Sequence, residues 1–198
     1  MKSKVDMRLY HFCNQSAHGS LQSKGYLAGD GRLATRWLRD LDTRPYHWMA
    51  EQMQKRFPPI PARAGAFPVW AWHTHDGKQV ADLRKREFGL KGERTVRLTL
   101  TVPPELVLLS DEEDWYCVLN GWFVTDTEAE SDLWDEREKL WPQEQFQIAM
   151  RESWEKIFDL NRLQNPNCGR SARPHYVQAC FWLLEANMVV DERWFIPR

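Results

Sequence analysis

The stretch TVRLTLTV, residues 95–102, sets apolar Val96, Leu98, Leu100 and Val102 against polar Thr95, Arg97, Thr99 and Thr101. Strict alternation over eight residues is the period of a β-strand, because successive side chains leave the backbone on opposite faces. Pro103 and Pro104 end it, since proline cannot donate to a ladder. Upstream, VWAWHTH (residues 69–75) reads as a second strand, with Trp70 and Trp72 on one face and His73 and His75 on the other. MRLYHFC (residues 7–13) reads as a third. Near the C-terminus, the apolar run YVQACFWLL (176–184) and VVDERWF (189–195) are joined by Glu185-Ala-Asn187, a link short enough to suggest an antiparallel hairpin beside the 95–102 strand.

Helical signals fill the intervals. A short helix is expected over Ser16–Ser23, closed by Gly25 as a left-handed cap. Arg44–Phe57 spaces Trp48, Met49 and Met53 on one helical face behind Pro45. Ser110 can cap an acidic helix, with Glu113 at the position of a capping box. Residues 125–160 read as one or two helices interrupted at Pro142. This order of strands and helices is that of an α+β fold: one domain over residues 1–198, with antiparallel or mixed sheets and flanking helices.

Composition bounds the function classes. The chain has 198 residues, 42% hydrophobic and 28% charged, enough for a sizeable core and too apolar for a disordered segment. No run approaches the roughly 18 apolar residues of a spanning helix, and the polar N-terminus does not read as a secretory signal, so a cytoplasmic protein without membrane contact is expected. Four cysteines without a C-x-x-C read as free thiols. Eleven tryptophans should be mostly core, with a few lining a pocket. Residues 1–97 carry 18 Lys and Arg against 9 Asp and Glu, and the remainder 9 against 19. Either the first half attracts an anionic partner or the two halves offset one another.

Three clusters could carry chemistry. His73-x-His75-Asp76 is a fragment of a metal site, but no spacing supplies further ligands, so no metal is expected. Cys180 and His175 could form a thiol and its base, although a thiol beside Phe181 and Trp182 reads as packing. Arg84-Lys85-Arg86 could clamp phosphates or be a solvated face. Walker, dinucleotide-fingerprint, nucleophile-elbow and zincin motifs are absent from the sequence.

The runs YHWMAEQMQKR, PVWAWH, DLR, VLLSDEEDWYCVLNGWF, SWEKIFDL and VQACFWLL together resemble an uncharacterised bacterial family, the domain of unknown function catalogued as three-eight-four-one. That resemblance covers nearly the whole chain and implies no established chemistry. More distantly, Leu9-Tyr-His-Phe12 followed by a helix and Ser23-Lys-Gly-Tyr-Leu27, with the closing run Gln178 to Phe195, is similar to the ADP-ribosyltransferase fold. This second resemblance covers about a third of the chain. It implies an NAD site in which His11 ends the first strand and holds the adenosine ribose, while Trp70 or Trp72 stacks on nicotinamide and Arg84 meets the pyrophosphate. The chain departs from that family where a catalytic Glu would open the closing strand, because the residue there is Gln178. Glu185 is the remaining candidate for the negative group that transfer of ADP-ribose requires. The residues leave open an alternative: a non-catalytic module whose basic and tryptophan side chains contact a protein or single-stranded nucleic acid, although a pI near 6.6 weighs against nucleic acid.

Overall fold

The computed structural model describes residues 5–29, 42–79, 83, 88–162 and 175–197. Its backbone runs β1 (Met7–Asn14), α1 (Gln15–Lys24), β2 (Tyr26–Ala28), α2 (Arg44–Arg56), β3 (Val69–Thr74), β4 (Thr95–Val102) and β5 (Leu108–Asp111). It continues through α3 (Glu112–Asn120), α4 (Glu128–Leu140), α5 (Gln143–Ser153), β6 (Val177–Phe181), β7 (Leu183–Glu185) and β8 (Val189–Phe195). Six strands form one sheet in the order β5-β6-β3-β1-β4-β8, and β2 pairs with β7 in a two-stranded sheet. The paired strands are antiparallel. The protein is therefore an α+β domain, as the alternation of strand and helix periods predicts.

TVRLTLTV is β4, inside the sheet between β1 and β8. Val96, Leu98, Leu100 and Val102 are fully buried and join Leu9, Leu21, Ala71, Ala179, Phe181 and Leu184 in one core. That core lies beneath α1 and the small sheet, which contribute Leu21 and Leu184. The polar side of β4 is buried as well, which alternation alone does not foretell. Arg97 is 7% exposed, lies over the Tyr10 ring at 5.4 Å and reaches Asp191 at 3.6 Å. Phe88, stacked on the half-buried Phe12 at 4.2 Å, is buried. A second core on this side of the sheet joins Trp48, Met49 and Met53 of α2 to Trp115, Val118, Met150, Trp154 and Cys180.

Local signals fix the helix ends. Asn14 closes β1 and caps α1, its side chain accepting from Ala17 N, and Gly25 ends that helix at φ 79°. Pro142 separates α4 from α5 as expected. The cap of α3 is Asp111, which accepts from Glu113 N and Asp114 N, and not Ser110. Ser110 belongs to β5, opposite Gln178.

Two strand expectations are corrected. The segments 176–184 and 189–195 do not form a hairpin. β6 lies between β5 and β3, so both its edges are occupied, whereas β8 pairs with β4 at the far edge. Between them the chain steps out of the large sheet to pair β7 with β2. The charged Asp191-Glu192-Arg193 of β8 suit an exposed edge. Likewise, His75 does not continue the alternation of β3. Trp72 pairs with Gln178 but Thr74 with Val177, so one residue is bulged and the facing of the residues beyond it is reversed. His75 consequently packs edge-on to Trp72 at 4.8 Å.

Candidate functional site

β1 is paired with β4 along all eight of its residues, yet with β3 at Tyr10 and Trp72 alone. Beyond that point the two strands part. The Trp70 carbonyl, facing the gap, meets the His11 Nδ1 at 2.7 Å. A carbonyl can only accept, so Nδ1 carries the proton, and in a neutral ring Nε2 is left as an acceptor. Burial holds the His11 pKa below its ordinary value, against the smaller opposing effect of the Trp70 carbonyl, and so favours that neutral ring.

A cleft of about 1300 Å³ occupies the opening. Both faces of the sheet reach it where the ladder is broken: His11, Cys13, Val69 and Ala71 from one side, Tyr10, Phe12, Trp70, Trp72 and Gln178 from the other. The first turns of α1 contribute Ser16, Ala17 and Ser20, and β2 adds Tyr26 and Leu27. Among the described residues that line it there is no Asp or Glu, whereas Lys24 and Arg63 are present. An anion therefore meets no fixed negative charge on these walls. The Gln178 Oε1 is buried and makes no hydrogen bond to a described residue, leaving an amide acceptor that a bound hydroxyl could satisfy.

The outer wall comes from the loop after α2. Gly29 and Phe67 form an isolated antiparallel bridge, Phe67 N donating to Gly29 O at 3.4 Å. The approach is so close that a Cβ at Gly65 would run into the Gly29 carbonyl, and one at Gly29 into that of Phe67. Glycine at both positions lets the backbones meet and sets Arg63, Ala66 and Phe67 against the cleft.

Of the residues singled out by sequence, His11, Trp70, Trp72 and Gln178 all line this cleft, but His11 does not face Gln178: it reaches the cleft from the opposite face of the sheet to the other three. His11 does not end the first strand: β1 continues for three residues to Asn14. Trp70 is partly committed to the core, packing against Trp115 at 5.1 Å, while Trp72 meets His75 and Tyr176 edge-on. Glu185 is not on the cleft wall. It bonds Arg63 at 3.2 Å and lines a neighbouring cavity of about 560 Å³ with Phe57, Leu106 and Met188. Arg84 lies outside the described residues, with Lys85 and Arg86. Sequence reasoning missed Arg63, Lys24, His47 and Phe67. The glycine of the Gly65-Ala-Phe67 run was the available signal for a close backbone approach.

The remaining candidates have structural explanations. Cys180 is fully buried and its thiol pKa is raised by desolvation, which makes it a packing residue. Burial pushes the Cys13 thiol, on the cleft wall, up to about 12. The charge asymmetry is partly internal: Arg56 pairs with Glu155, Arg63 with Glu185 and Arg97 with Asp191. Among the described residues no helix is long and apolar enough to cross a membrane.

Over residues 8–190 the chain matches the family described as Domain of unknown function (DUF3841), and it belongs to that family. No curated protein and no solved structure matches it.

Proposed function

We propose that the cleft between β1 and β3 binds a nucleotide of the NAD or ADP-ribose class. The observation that carries this reading is the parting of β1 from β3, which places a neutral imidazole, an unsatisfied amide oxygen and a tryptophan on the walls of one cleft whose described lining holds no carboxylate. His11 Nε2 accepts from a ribose hydroxyl while Nδ1–H stays on the Trp70 carbonyl. Gln178 serves a second hydroxyl without adding charge. Trp72 supplies an apolar ring for a planar group. At about 1300 Å³ the cleft has room for an extended ligand with two ends.

Transfer of ADP-ribose asks for more than binding. As nicotinamide leaves, positive charge grows on the ribose and needs a negative group beside it. The described cleft wall has none, and Glu185 is held by Arg63 at the neighbouring cavity. Binding is thus the part of the reading that the geometry supports best, and transferase activity depends on Glu185 reaching the ribose. Calorimetric titration with NAD and ADP-ribose tests the reading. Wild type should saturate, and His11→Ala should weaken binding about 5- to 150-fold, the equivalent of losing a buried hydrogen-bond partner worth about 1–3 kcal/mol. No saturation of the wild type at millimolar ligand, or equal affinity in the variant, overturns it.

A further inference from the structure

We propose that Arg63 is the anion-binding residue of the cleft and Glu185 its built-in competitor, so that a ligand's diphosphate takes the guanidinium from the carboxylate. The proposal rests on the nucleotide reading above and adds to it the group that meets the phosphates.

Among the described residues, Arg63 alone lines both cavities. Its Nη2 lies 3.2 Å from Glu185 Oε1, and its guanidinium sits over the Tyr26 ring at 5.0 Å. Tyr26 and Glu185 are themselves direct partners in the β2–β7 ladder, so the small sheet presents the ring and the carboxylate side by side. The guanidinium is held at the boundary between the cavities by contacts on that sheet. With side-chain exposures of 58% for Arg63 and 35% for Glu185, water screens the pair, which makes it weak. A diphosphate offers two phosphoryl groups, each able to take two parallel N–H donors from a guanidinium. The exchange of one carboxylate oxygen for that geometry therefore runs toward the ligand. Lys24 adds a second cation to the lining of the cleft. Once Arg63 has moved to the phosphates, Glu185 remains as a carboxylate without its guanidinium in the neighbouring cavity, whose lining also includes Arg56 and Glu105.

A competitor that is removed must make binding tighter, an effect a merely structural role cannot produce. Calorimetry with ADP-ribose, inorganic pyrophosphate and adenosine on wild type, Glu185→Gln, Arg63→Gln and the double variant supplies the test. Glu185→Gln should tighten ADP-ribose and pyrophosphate about 1.5- to 5-fold, the strength of an exposed ion pair, and leave adenosine unchanged. Arg63→Gln should weaken ADP-ribose about 10- to 100-fold, as loss of hydrogen bonds to a charged group predicts. In the Arg63→Gln background the gain from Glu185→Gln should vanish. If wild type binds ADP-ribose but Glu185→Gln leaves its affinity equal or weaker, or the gain survives without Arg63, the competitor proposal falls and the nucleotide reading stands. If wild type binds none of the three ligands, both fall.

Discussion

The two sides of β1 put one strand to different uses. Toward β4 the ladder is closed from Met7–Val102 to Asn14–Thr95, and the β4 side chains along it are largely buried on both faces. Toward β3 it holds at one pair and then opens, leaving a backbone carbonyl to be satisfied by an imidazole. The closed seam supplies stability, because apolar groups there are out of water and backbone groups bond each other. The open seam gives up ladder bonds and gains a cleft with polar groups on its walls. A candidate site thus lies where the sheet's regularity fails.

Damage to the closed seam should separate stability from binding most strongly. Leu98 is fully buried opposite His11. Leu98→Ala should lower unfolding free energy in denaturant by about 2–5 kcal/mol, with ligand affinity per folded molecule nearly unchanged. Gly65→Ala should act the other way round. Its Cβ meets the Gly29 backbone, so the loop must shift at a cost of about 1–3 kcal/mol, and calorimetry should show ADP-ribose binding weakened more than tenfold.

A smaller effect concerns pH. His11 and His73 both have pKa values lowered by burial. Above about 6.5, the ordinary histidine value, folded and unfolded states bind the same protons at these sites. As pH falls below it the unfolded chain takes up protons first, so stability declines until the folded-state pKa is passed. His11→Asn cannot titrate and retains an N–H donor, so denaturant melts between pH 7 and 5 should show a shallower decline than wild type. An equally steep curve would remove His11 from the pH dependence of the seam.

The closed seam was legible in sequence and the open one was not. TVRLTLTV announces its strand through period, and Gly25 and Pro142 announce helix boundaries through a cap and a break. Which strands become neighbours is not a local property. The apolar run 176–184 was compatible with a hairpin, and only occupation of both β6 edges by β5 and β3 sends β8 to the far side. His11, Trp70, Trp72 and Gln178 could be named because their residue types suit a nucleotide and the resemblance supplied an order. That Glu185 would be tied to Arg63 could not, since the pair spans 122 positions and depends on β2 meeting β7.

If the β1–β3 opening is the ligand site, a bound nucleotide must slow backbone opening on the two strands that border it and leave β4, across the closed seam, unchanged. Hydrogen–deuterium exchange with and without millimolar ADP-ribose reads this, because it reports where backbone amides become protected. Exchange should slow in peptides covering residues 9–14 and 65–72 and stay unchanged in 95–102, whose amides are already sheltered within the closed part of the sheet. Protection confined to other peptides, or none at saturating ligand, would place the ligand site elsewhere.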